Sequence, residues 1–542
     1  MVLSAIVLVA IFSLAAFSVC TGAARPKKDA PKIWTTLPLV GIGNADYTWL
    51  WGKLRSVWCT SAWTAEGYRK FGPASQPFLV PMLDSGLTVV LPRTLIKAVY
   101  GLPERLVDVH GVQDQLMQPR WTFPDAYIRG ERLQFNVVRN QLTQNIPRLT
   151  RGVAAEIRFG FLRSWGESTG WKEVRVWTSA LRIVAGAANG AFCGPPLCRD
   201  VVFLDRMKDH AMTIFLGALL LNCLPRALHP ILGPIFSCVS GFAARRATRR
   251  SLPVVTERLA KTAQWKANPD TDWTPPEDAL QWVIDECYTS KDPEAQLLPT
   301  RVCQRLLFVN DISMLTTAYA AQNLLLDLFS TDPALRYAET LRQECETALR
   351  NAGGEWTHAA VQELRLVDSA LRESMRMSPF GTLGLPREAI HPAGIQLGDT
   401  PVRLPSRTCM ALPLEAIHYD ETIYPHATRY DPFRFVTRQG VAEPRVKSTA
   451  TLDDSFLAFG VPGKWACPGR FFALLELKIF VAELLLNYEV EYLKERPKPI
   501  YMMWSRYPPD VKIQVRRRGG CDPECVQGGV ASTPMAGVLR GH

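Results

Sequence analysis

One cysteine of this chain stands in a loop whose composition suits a ligand site. The sequence from Phe459 to Arg470 reads FGVPGKWACPGR and contains Cys467, and a long apolar segment without glycine or proline follows it. Such a loop presents one sulfur at the amino end of a helix, where the dipole and free backbone N–H groups favour a thiolate. Gly463 and Gly469 permit positive φ angles and the close approach of a flat ligand. Cys467 is then either the single cysteine ligand of a haem iron or a buried core cysteine beside a helix cap.

A second pattern consists of charged residues that can pair. Glu373 and Arg376 are three residues apart in the sequence RESMR, so they share one face of a predicted helix from about Arg365 to Ser378. Downstream, the sequence YDPFRF offers Arg434 as a third charged member. An acid and a base at this spacing are common, and alone they indicate only a helical ion pair.

Together and in this order, the Glu-x-x-Arg helix, Arg434 and the cysteine loop resemble the cytochrome P-450 family of haem-thiolate monooxygenases. The resemblance implies that Glu373, Arg376 and Arg434 form a buried ion-pair network, a structural triad that supports the haem. It also implies that Cys467 is the metal ligand, the axial thiolate of haem b (heme b, iron protoporphyrin IX). The segment NGAFCGPPLCR at 189–199 is similar to fungal members that oxidise terpenoids and other secondary metabolites.

The resemblance also assigns residues around the cofactor. Phe459, Gly463, Gly469, Trp465 and Lys464 belong to the matching loop. The cations expected to meet the haem propionates are Lys464 together with two residues elsewhere in the chain, Arg139 and Arg387. For each of these three, an ordinary surface salt bridge is the alternative. The substrate pocket is expected to be apolar and to draw on residues 380–385 after the Glu-x-x-Arg helix.

Three positions depart from the family pattern. The loop phenylalanine usually stands seven residues before the cysteine, but here Gly460 has that position and Phe459 is eight before. Trp465, two before the cysteine, replaces the usual Arg or His, and its indole N–H brings one hydrogen bond but no charge. Leu315 stands where an acid or similar polar residue usually precedes the threonine that assists oxygen activation.

The catalytic residues implied by the resemblance are Thr316 and Thr317, which match the family's Thr-Thr pair. Thr316 is expected to relay a proton during oxygen activation. Asp311 lies about one turn away on the same predicted helix, and it either feeds protons to this site or is an ordinary paired or solvent-facing acid.

The elements that must position these residues are mostly helical. Residues 300–332 contain neither glycine nor proline and are apolar nearly all round, which predicts a helix through the middle of the protein. Further helices are predicted after Pro333, over 365–378 and over about Arg470–Asn487, and Val511, Ile513 and Val515 alternate as a strand. The fold class is therefore mainly α with minor β. The resemblance makes it the cytochrome P-450 fold, with a single catalytic domain over 49–518.

The amino-terminal end has the composition of a membrane anchor. Residues 1–24 carry no charge and are long enough to cross a bilayer, and Arg25, Lys27 and Lys28 follow them. A cleavable signal peptide is the alternative, but its basic start is missing. The positive-inside rule then places the catalytic domain in the cytosol and the amino terminus in the lumen of the endoplasmic reticulum. Residues 25–48 are predicted to form a basic, proline-rich hinge, and residues 519–542 are predicted to form a disordered tail.

The net charge and the cysteine spacing limit the classes of molecule that this protein binds. The chain has 542 residues and a net charge of +11, and its thirteen cysteines include no C-x-x-C pair that would indicate a zinc ribbon. The charge suits an anionic membrane lipid surface and an acidic electron donor better than nucleic acid. The resemblance implies that the partners are NADPH-cytochrome reductase, with cytochrome b5 as a second donor, and a hydrophobic small-molecule substrate into which one oxygen atom of O₂ is inserted. The alternatives are a haem-thiolate isomerase or dehydratase that does not activate O₂, and a non-catalytic, membrane-anchored haem-binding protein.

Overall fold

The computed structural model describes residues 36–42, 48–123, 125–224, 228–437, 445–507 and 509–519. The predicted anchor at 1–24 and the predicted tail after Gly519 lie outside these residues. Among the residues that are described, no helix is long and apolar enough to cross a membrane. Part of the predicted hinge runs along the body, because the Val40 N–H donates to the carbonyl oxygen of Leu79 at 3.0 Å and the Leu37 side chain is buried.

Helices dominate the described chain. They are α1 Thr48–Phe71, α2 Ile96–Tyr100, α3 His110–Met117, α4 Pro119–Thr122, α5 Ala126–Gly130, α6 Leu133–Asn136, α7 Ile146–Trp165, α8 Val176–Phe192, α9 Val201–Asn222, α10 His229–Thr248, α11 Ser251–Ala267, α12 Ala279–Tyr288, α13 Pro293–Gln296, α14 Pro299–Leu328, α15 Tyr337–Asn351, α16 His358–Glu363, α17 Arg365–Met377, α18 Leu414–His418 and α19 Arg470–Asn487. A π-helical stretch, Val137–Leu142, follows α6, and 3-10 turns cover Arg93–Leu95, Leu197–Arg199 and Pro333–Leu335.

The strands are short. They are β1 Phe78–Met82, β2 Gly86–Val90, β3 Val107–Asp108, β4 Lys172–Arg175, β5 Gly384–Ala389, β6 Ile395–Gln396, β7 Arg403–Leu404, β8 Thr408–Leu412, β9 Val436–Thr437, β10 Arg445–Val446, β11 Tyr488–Val490, β12 Ile500–Met502, β13 Ser505–Tyr507 and β14 Lys512–Arg517.

Most of the sheet structure lies in one five-stranded sheet with the order β1-β2-β8-β5-β3. Strand β2 runs parallel to β8, with Val89 opposite Met410. The other neighbours are antiparallel, and Arg387 of β5 lies opposite Met410 on the other side of β8. The β5–β8 register shifts between Gly384 and Arg387. Irregularities of this kind change the direction in which the following side chains point. A second sheet has the order β11-β14-β4, and the pairs β6–β7, β9–β10 and β12–β13 are separate.

The core surrounds α14. This helix packs against α8, α9, α17 and α19, and residues from Ala318 to Leu328 are buried without interruption. A helix without a polar face must be covered on all sides, so the prediction of a central helix is confirmed. Helices α17 and α19 also fall where the sequence predicts them, as does β14, which contains Ile513 and Val515. The fold is mainly α with minor β, as expected.

Candidate functional site

The cysteine loop is a closed turn before α19. The Cys467 N–H donates to the carbonyl oxygen of Phe459 at 2.8 Å, and the Gly460 N–H donates to Leu457 at 3.0 Å. Gly460 has φ +100° and Gly463 has φ +94°, a region that residues with a Cβ rarely adopt. A Cβ on Gly463 would meet nothing within 4 Å, so the backbone there lies open to a neighbouring molecule.

The Cys467 side chain is exposed at the end of this loop. Enough protein nevertheless surrounds the thiol that burial raises its pKa, while the backbone N–H groups of Gly469 and Arg470 and the charge of Arg470 act in the opposite direction. The contributions expected at a helix amino terminus are thus present, but desolvation outweighs them. A bound metal cation deprotonates such a thiol outright. Within the described ranges, no three His, Cys, Asp or Glu side chains are grouped as a metal site. A haem iron is the metal centre that takes a single cysteine ligand.

A cavity of about 1140 Å³ lies beside the loop. Trp465 and Arg387 form part of its wall, and Phe308, Asp311 and Ile312 contribute the face of α14. Pockets for one small molecule measure roughly 300–1,000 Å³. This cavity therefore has room for a large cofactor together with a hydrophobic substrate.

Arg387 is a buried cation on the cavity wall. It is 4% exposed, and its Nη1 donates to the backbone oxygen of Pro386 at 2.8 Å. The guanidinium lies over the rings of Tyr100 and Trp465, 4.6 and 5.3 Å from their centroids. Burial lowers its pKa, and no carboxylate within the described parts of the chain forms an ion pair with it. A buried cation without an anion fits the propionate of a haem.

The other two candidate cations lie elsewhere. Lys464 pairs with Glu104 at 3.1 Å, and both side chains are more than half exposed. Its ammonium also lies over the Trp465 ring at 4.6 Å. Arg139 is exposed and is not part of the cavity wall, although its neighbour Val138 lies 3.7 Å from the position of a Cβ on Gly469. Of the three, the structure brings Arg387 alone to the cavity.

The two threonines of α14 have different surroundings. Thr316 is exposed, although the helix around it is largely buried, and its hydroxyl donates to the carbonyl oxygens of Ile312 at 3.0 Å and Ser313 at 3.1 Å. Thr317 is 5% exposed. Leu315 packs against the core. Thr316 is therefore an exposed residue whose hydroxyl bonds back to its own helix, whereas Thr317 packs inside the protein.

The acid one turn earlier is paired. Asp311 lies 3.0 Å from Nδ1 of His210 on α9, and both side chains are almost completely buried. Burial raises the pKa of Asp311, while the charge and hydrogen bond of His210 act to lower it. His210 was not identified from the sequence. The charged run DRMKD that precedes it on α9 gives no local signal of a buried imidazole.

Glu373, Arg376 and Arg434 form one buried network. Glu373 and Arg376 are 0% exposed, and Nε of Arg376 lies 2.8 Å from the Glu373 carboxylate. Nε of Arg434 reaches the same carboxylate at 2.9 Å. The two arginines donate their remaining N–H groups to backbone oxygens, those of His418 and Ala427 among them. The charges are thus both paired and hydrogen-bonded, the condition under which buried ions are tolerated.

His418 connects this network to the cysteine loop, and it too was missed from the sequence. Its Nδ1 lies 3.1 Å from the backbone oxygen of Arg376, and the Leu457 N–H donates to its Nε2 at 3.0 Å. Burial, together with the nearby positive charge of Arg376, lowers its pKa to about 3. His418 is therefore neutral, so Nδ1 can donate while Nε2 accepts. Through it, the triad helix α17 supports the backbone that enters the loop.

Comparisons with known proteins agree on one family. The model of the cytochrome P450 family matches residues 263–515. The chain is 39% identical over 507 residues to the cytochrome P450 monooxygenase okaG of Penicillium ochrochloron, covering 89% of this chain and 94% of that protein. It is 30% identical over 504 residues to the cytochrome P450 monooxygenase gloP of Glarea lozoyensis, covering 90% and 92%.

The fold has a counterpart among solved structures. A crystal structure of a cytochrome P450, CYP102L1, superposes with a TM-score of 0.58 and covers 84% of this chain and 93% of that one, at 17% sequence identity. At that identity the likeness concerns the fold alone. The fold, the relatives and the single cysteine of the loop all indicate the same protein family.

Proposed function

The chain belongs to the cytochrome P450 family of haem-thiolate monooxygenases, and on that premise we propose that Cys467 is the axial thiolate of its haem. The observation that carries the assignment is the exposed Cys467 side chain in a loop whose Trp465 lines the large cavity. When bound, the haem supplies O₂ activation with two electrons, so that one oxygen atom enters a C–H bond of the substrate. The electrons come from a redox-partner reductase.

Arg387 and Trp465 would hold the cofactor at its acidic edge. The Arg387 guanidinium already lies against the Trp465 ring on the cavity wall, and it meets no carboxylate in the described parts of the chain. A propionate would supply the missing negative charge, and charge-assisted hydrogen bonds of this type are the stronger ones. Lys464 already has Glu104 as its partner, and Arg139 is off the cavity wall, so both are weaker candidates.

We propose that Thr316 holds and passes on a proton. Its Oγ1–H is directed to its own helix, to the oxygens of Ile312 and Ser313. Rotation about χ1 would turn the hydroxyl into the open space beside α14, where it can donate to the reacting oxygen. Thr317 is buried and is proposed to contribute packing.

The substrate is a hydrophobic small molecule of secondary metabolism, and we propose that terpenoids are among the classes it takes. Phe308, Ile312 and Leu385 give the cavity apolar surface. Of the predicted pocket segment 380–385, Leu385 lines this cavity, while Thr382 and Leu383 are buried in the core.

The decisive experiment compares two exposed cysteines. Cys238 and Cys467 are both exposed among the cysteines that the structure describes. Wild type and Cys238→Ala should bind haem and show the red-shifted Soret band of a thiolate complex when reduced under CO. Cys467→Ala should lose that band, and Cys467→His should shift it toward a nitrogen-ligated spectrum. A Cys467→Ala protein that keeps the thiolate spectrum would show that another residue is the ligand.

We also propose that the protein sits on the endoplasmic reticulum membrane. The support is the uncharged segment 1–24 with basic residues after it, and an apolar stripe on α10. The stripe consists of Ile231, Ile235, Val239 and Phe242, each more than half exposed, at the spacing of one helix face. Exposed Arg245 and Arg246 follow, as suits an anionic lipid surface.

The membrane proposal has its own test. Membranes from cells that express the full chain are washed with alkaline carbonate, which releases peripheral proteins. Retention of the wild-type protein, and its release after deletion of residues 1–24, would support the anchor. Release of the wild type would contradict it.

Adding cytochrome b5 to a reconstituted system with NADPH-cytochrome reductase tests the second electron donor, which is supported if turnover rises.

A further inference from the structure

A buried acid and a buried imidazole stand together behind the apolar wall of the large cavity. Asp311 of α14 is 2% exposed and His210 of α9 is 1% exposed. Nδ1 of His210 lies 3.0 Å from each of the two carboxylate oxygens. Asp311 is one of the residues that line the cavity. The pair therefore joins two helices, and its Asp311 member faces the space in which a substrate would lie.

One oxygen of this carboxylate lacks a hydrogen bond. A single ring N–H points well at only one acceptor, and the bond to Oδ1 has acceptable geometry. Oδ2 is buried and has no hydrogen-bond partner within the described residues. A buried acceptor left in this way is unfavourable and calls for a donor.

The surroundings of the pair are apolar and aromatic. The Phe123 ring lies 6.1 Å from the His210 ring and 5.0 Å from the Phe308 ring, measured between centroids. Phe123, Phe308 and Ile214 all line the cavity with Asp311. In pockets of this kind, a few polar groups in an apolar wall fix the orientation of the ligand.

We propose that Oδ2 of Asp311 accepts a hydrogen bond from an N–H or O–H group of an otherwise apolar substrate, and that His210 is the positioning residue that holds the carboxylate for it. This inference rests on the proposed function, because it narrows the class of substrate that the same cavity would bind. The substrate is thus a hydrophobic molecule with a hydrogen-bond donor, such as a hydroxyl or a secondary amine of a ring.

The test uses two pairs of probe molecules that differ in one donor, carbazole with N-methylcarbazole and 2-phenanthrol with 2-methoxyphenanthrene. Dissociation constants are measured calorimetrically with the haem-loaded enzyme. The wild type should bind the donor member of each pair about tenfold more tightly. Asp311→Asn should abolish this preference, because the amide oxygen takes the His210 bond and an NH₂ group replaces Oδ2. Asp209→Asn, the same change at an exposed acid of α9 that pairs with Arg206 and lies off the cavity wall, should leave the preference intact.

The role of His210 is tested by rescue. His210→Leu removes the N–H that orients the carboxylate and should reduce the preference, whereas His210→Asn retains an N–H donor near the position of Nδ1 and should restore most of it. Equal binding of both members by the wild type, tighter binding of the methylated members, or an unchanged preference in Asp311→Asn would overturn the proposal. The thiolate spectrum is recorded on every sample, so a failure of the haem assignment is seen separately from a failure of the substrate anchor.

Discussion

The backbone N–H of Cys467 donates to the carbonyl oxygen of Phe459 at 2.8 Å. This contact closes a loop that is one residue longer than the related family pattern. The additional length is taken up between the two residues, where Gly460 and Gly463 both have positive φ. The loop thus keeps a defined end at the cysteine although Phe459 stands eight residues before it.

Gly460→Ala is expected to disrupt this loop far more than Gly463→Ala. Both positions have positive φ, which costs a residue with a Cβ about 1–2 kcal/mol. At Gly460 the new Cβ would also lie 2.7 Å from the backbone oxygen of Trp465, whereas at Gly463 it would meet nothing within 4 Å. The ratio of haem to protein after purification measures the difference. Equal haem content in the two variants would show that the loop backbone does not set haem binding.

Glu373→Gln is expected to destabilise the protein by about 3–5 kcal/mol, because Arg376 and Arg434 would lose their shared carboxylate inside the protein. Glu104→Gln is the control, since its ion pair with Lys464 is exposed and should contribute less than about 1 kcal/mol. Urea unfolding and haem retention measure both. Similar losses in the two variants would contradict a supporting role for the triad.

Arg387→Gln is expected to weaken haem binding about tenfold or more, because the buried cation on the cavity wall is lost. Lys464→Gln should change haem binding little, since Lys464 already pairs with Glu104. The rate of haem transfer to apomyoglobin measures the effect without any substrate. Faster haem loss from Lys464→Gln than from Arg387→Gln would reverse the assignment of the propionate contact.

Local sequence patterns predicted the elements better than the contacts between them. The central helix α14 and the helix α19 were predictable, because long apolar runs without glycine or proline form buried helices. No local spacing could reveal that His210 meets Asp311, since 101 residues separate them. His418 is a similar case, because its two partners lie on segments far from it in the chain.

The same limit applies to the candidate cations. The sequence could not rank the three candidates for the haem propionates, because each of them is a positive charge at a position that matches the family pattern. They are Arg139, Arg387 and Lys464. Their difference arises from packing: the Arg387 side chain is buried between Tyr100 and Trp465, while Lys464 finds an acid at the surface. Such neighbours come together only when the sheet and the cysteine loop are assembled.

Asp453→Asn is expected to flatten the acid dependence of stability. Although burial alone would raise the pKa of Asp453, hydrogen bonds from Lys447, Ser455 and the Phe456 N–H lower it to about 2. A carboxylate whose pKa is depressed in the folded state stabilises the protein above its unfolded value near 4, by about 2 kcal/mol here, and roughly half of this is lost at pH 3.

Urea unfolding at pH 6 and pH 3 measures this effect. Wild type should lose about 1 kcal/mol more than Asp453→Asn between these two pH values, because the variant has no carboxylate to protonate at this position. The two proteins must be compared at equal haem loading. A wild-type protein and an Asp453→Asn variant with the same pH dependence would contradict the depressed pKa.

Thr316→Val is expected to separate oxygen use from product formation. Thr316 is an exposed residue of α14, whereas Thr317 is 5% exposed, and Thr316 is therefore the one of the two that we propose as the proton donor to the reacting oxygen. The product formed per NADPH should fall about tenfold or more in Thr316→Val and remain near the wild-type value in Thr316→Ser, which keeps the hydroxyl. Thr317→Val, which removes a buried hydroxyl at constant volume, should leave the ratio unchanged. The measurement uses a substrate found by turnover against a panel of terpenoid and polyketide scaffolds. An unchanged ratio in Thr316→Val, with a fall in Thr317→Val, would assign the proton to Thr317 instead.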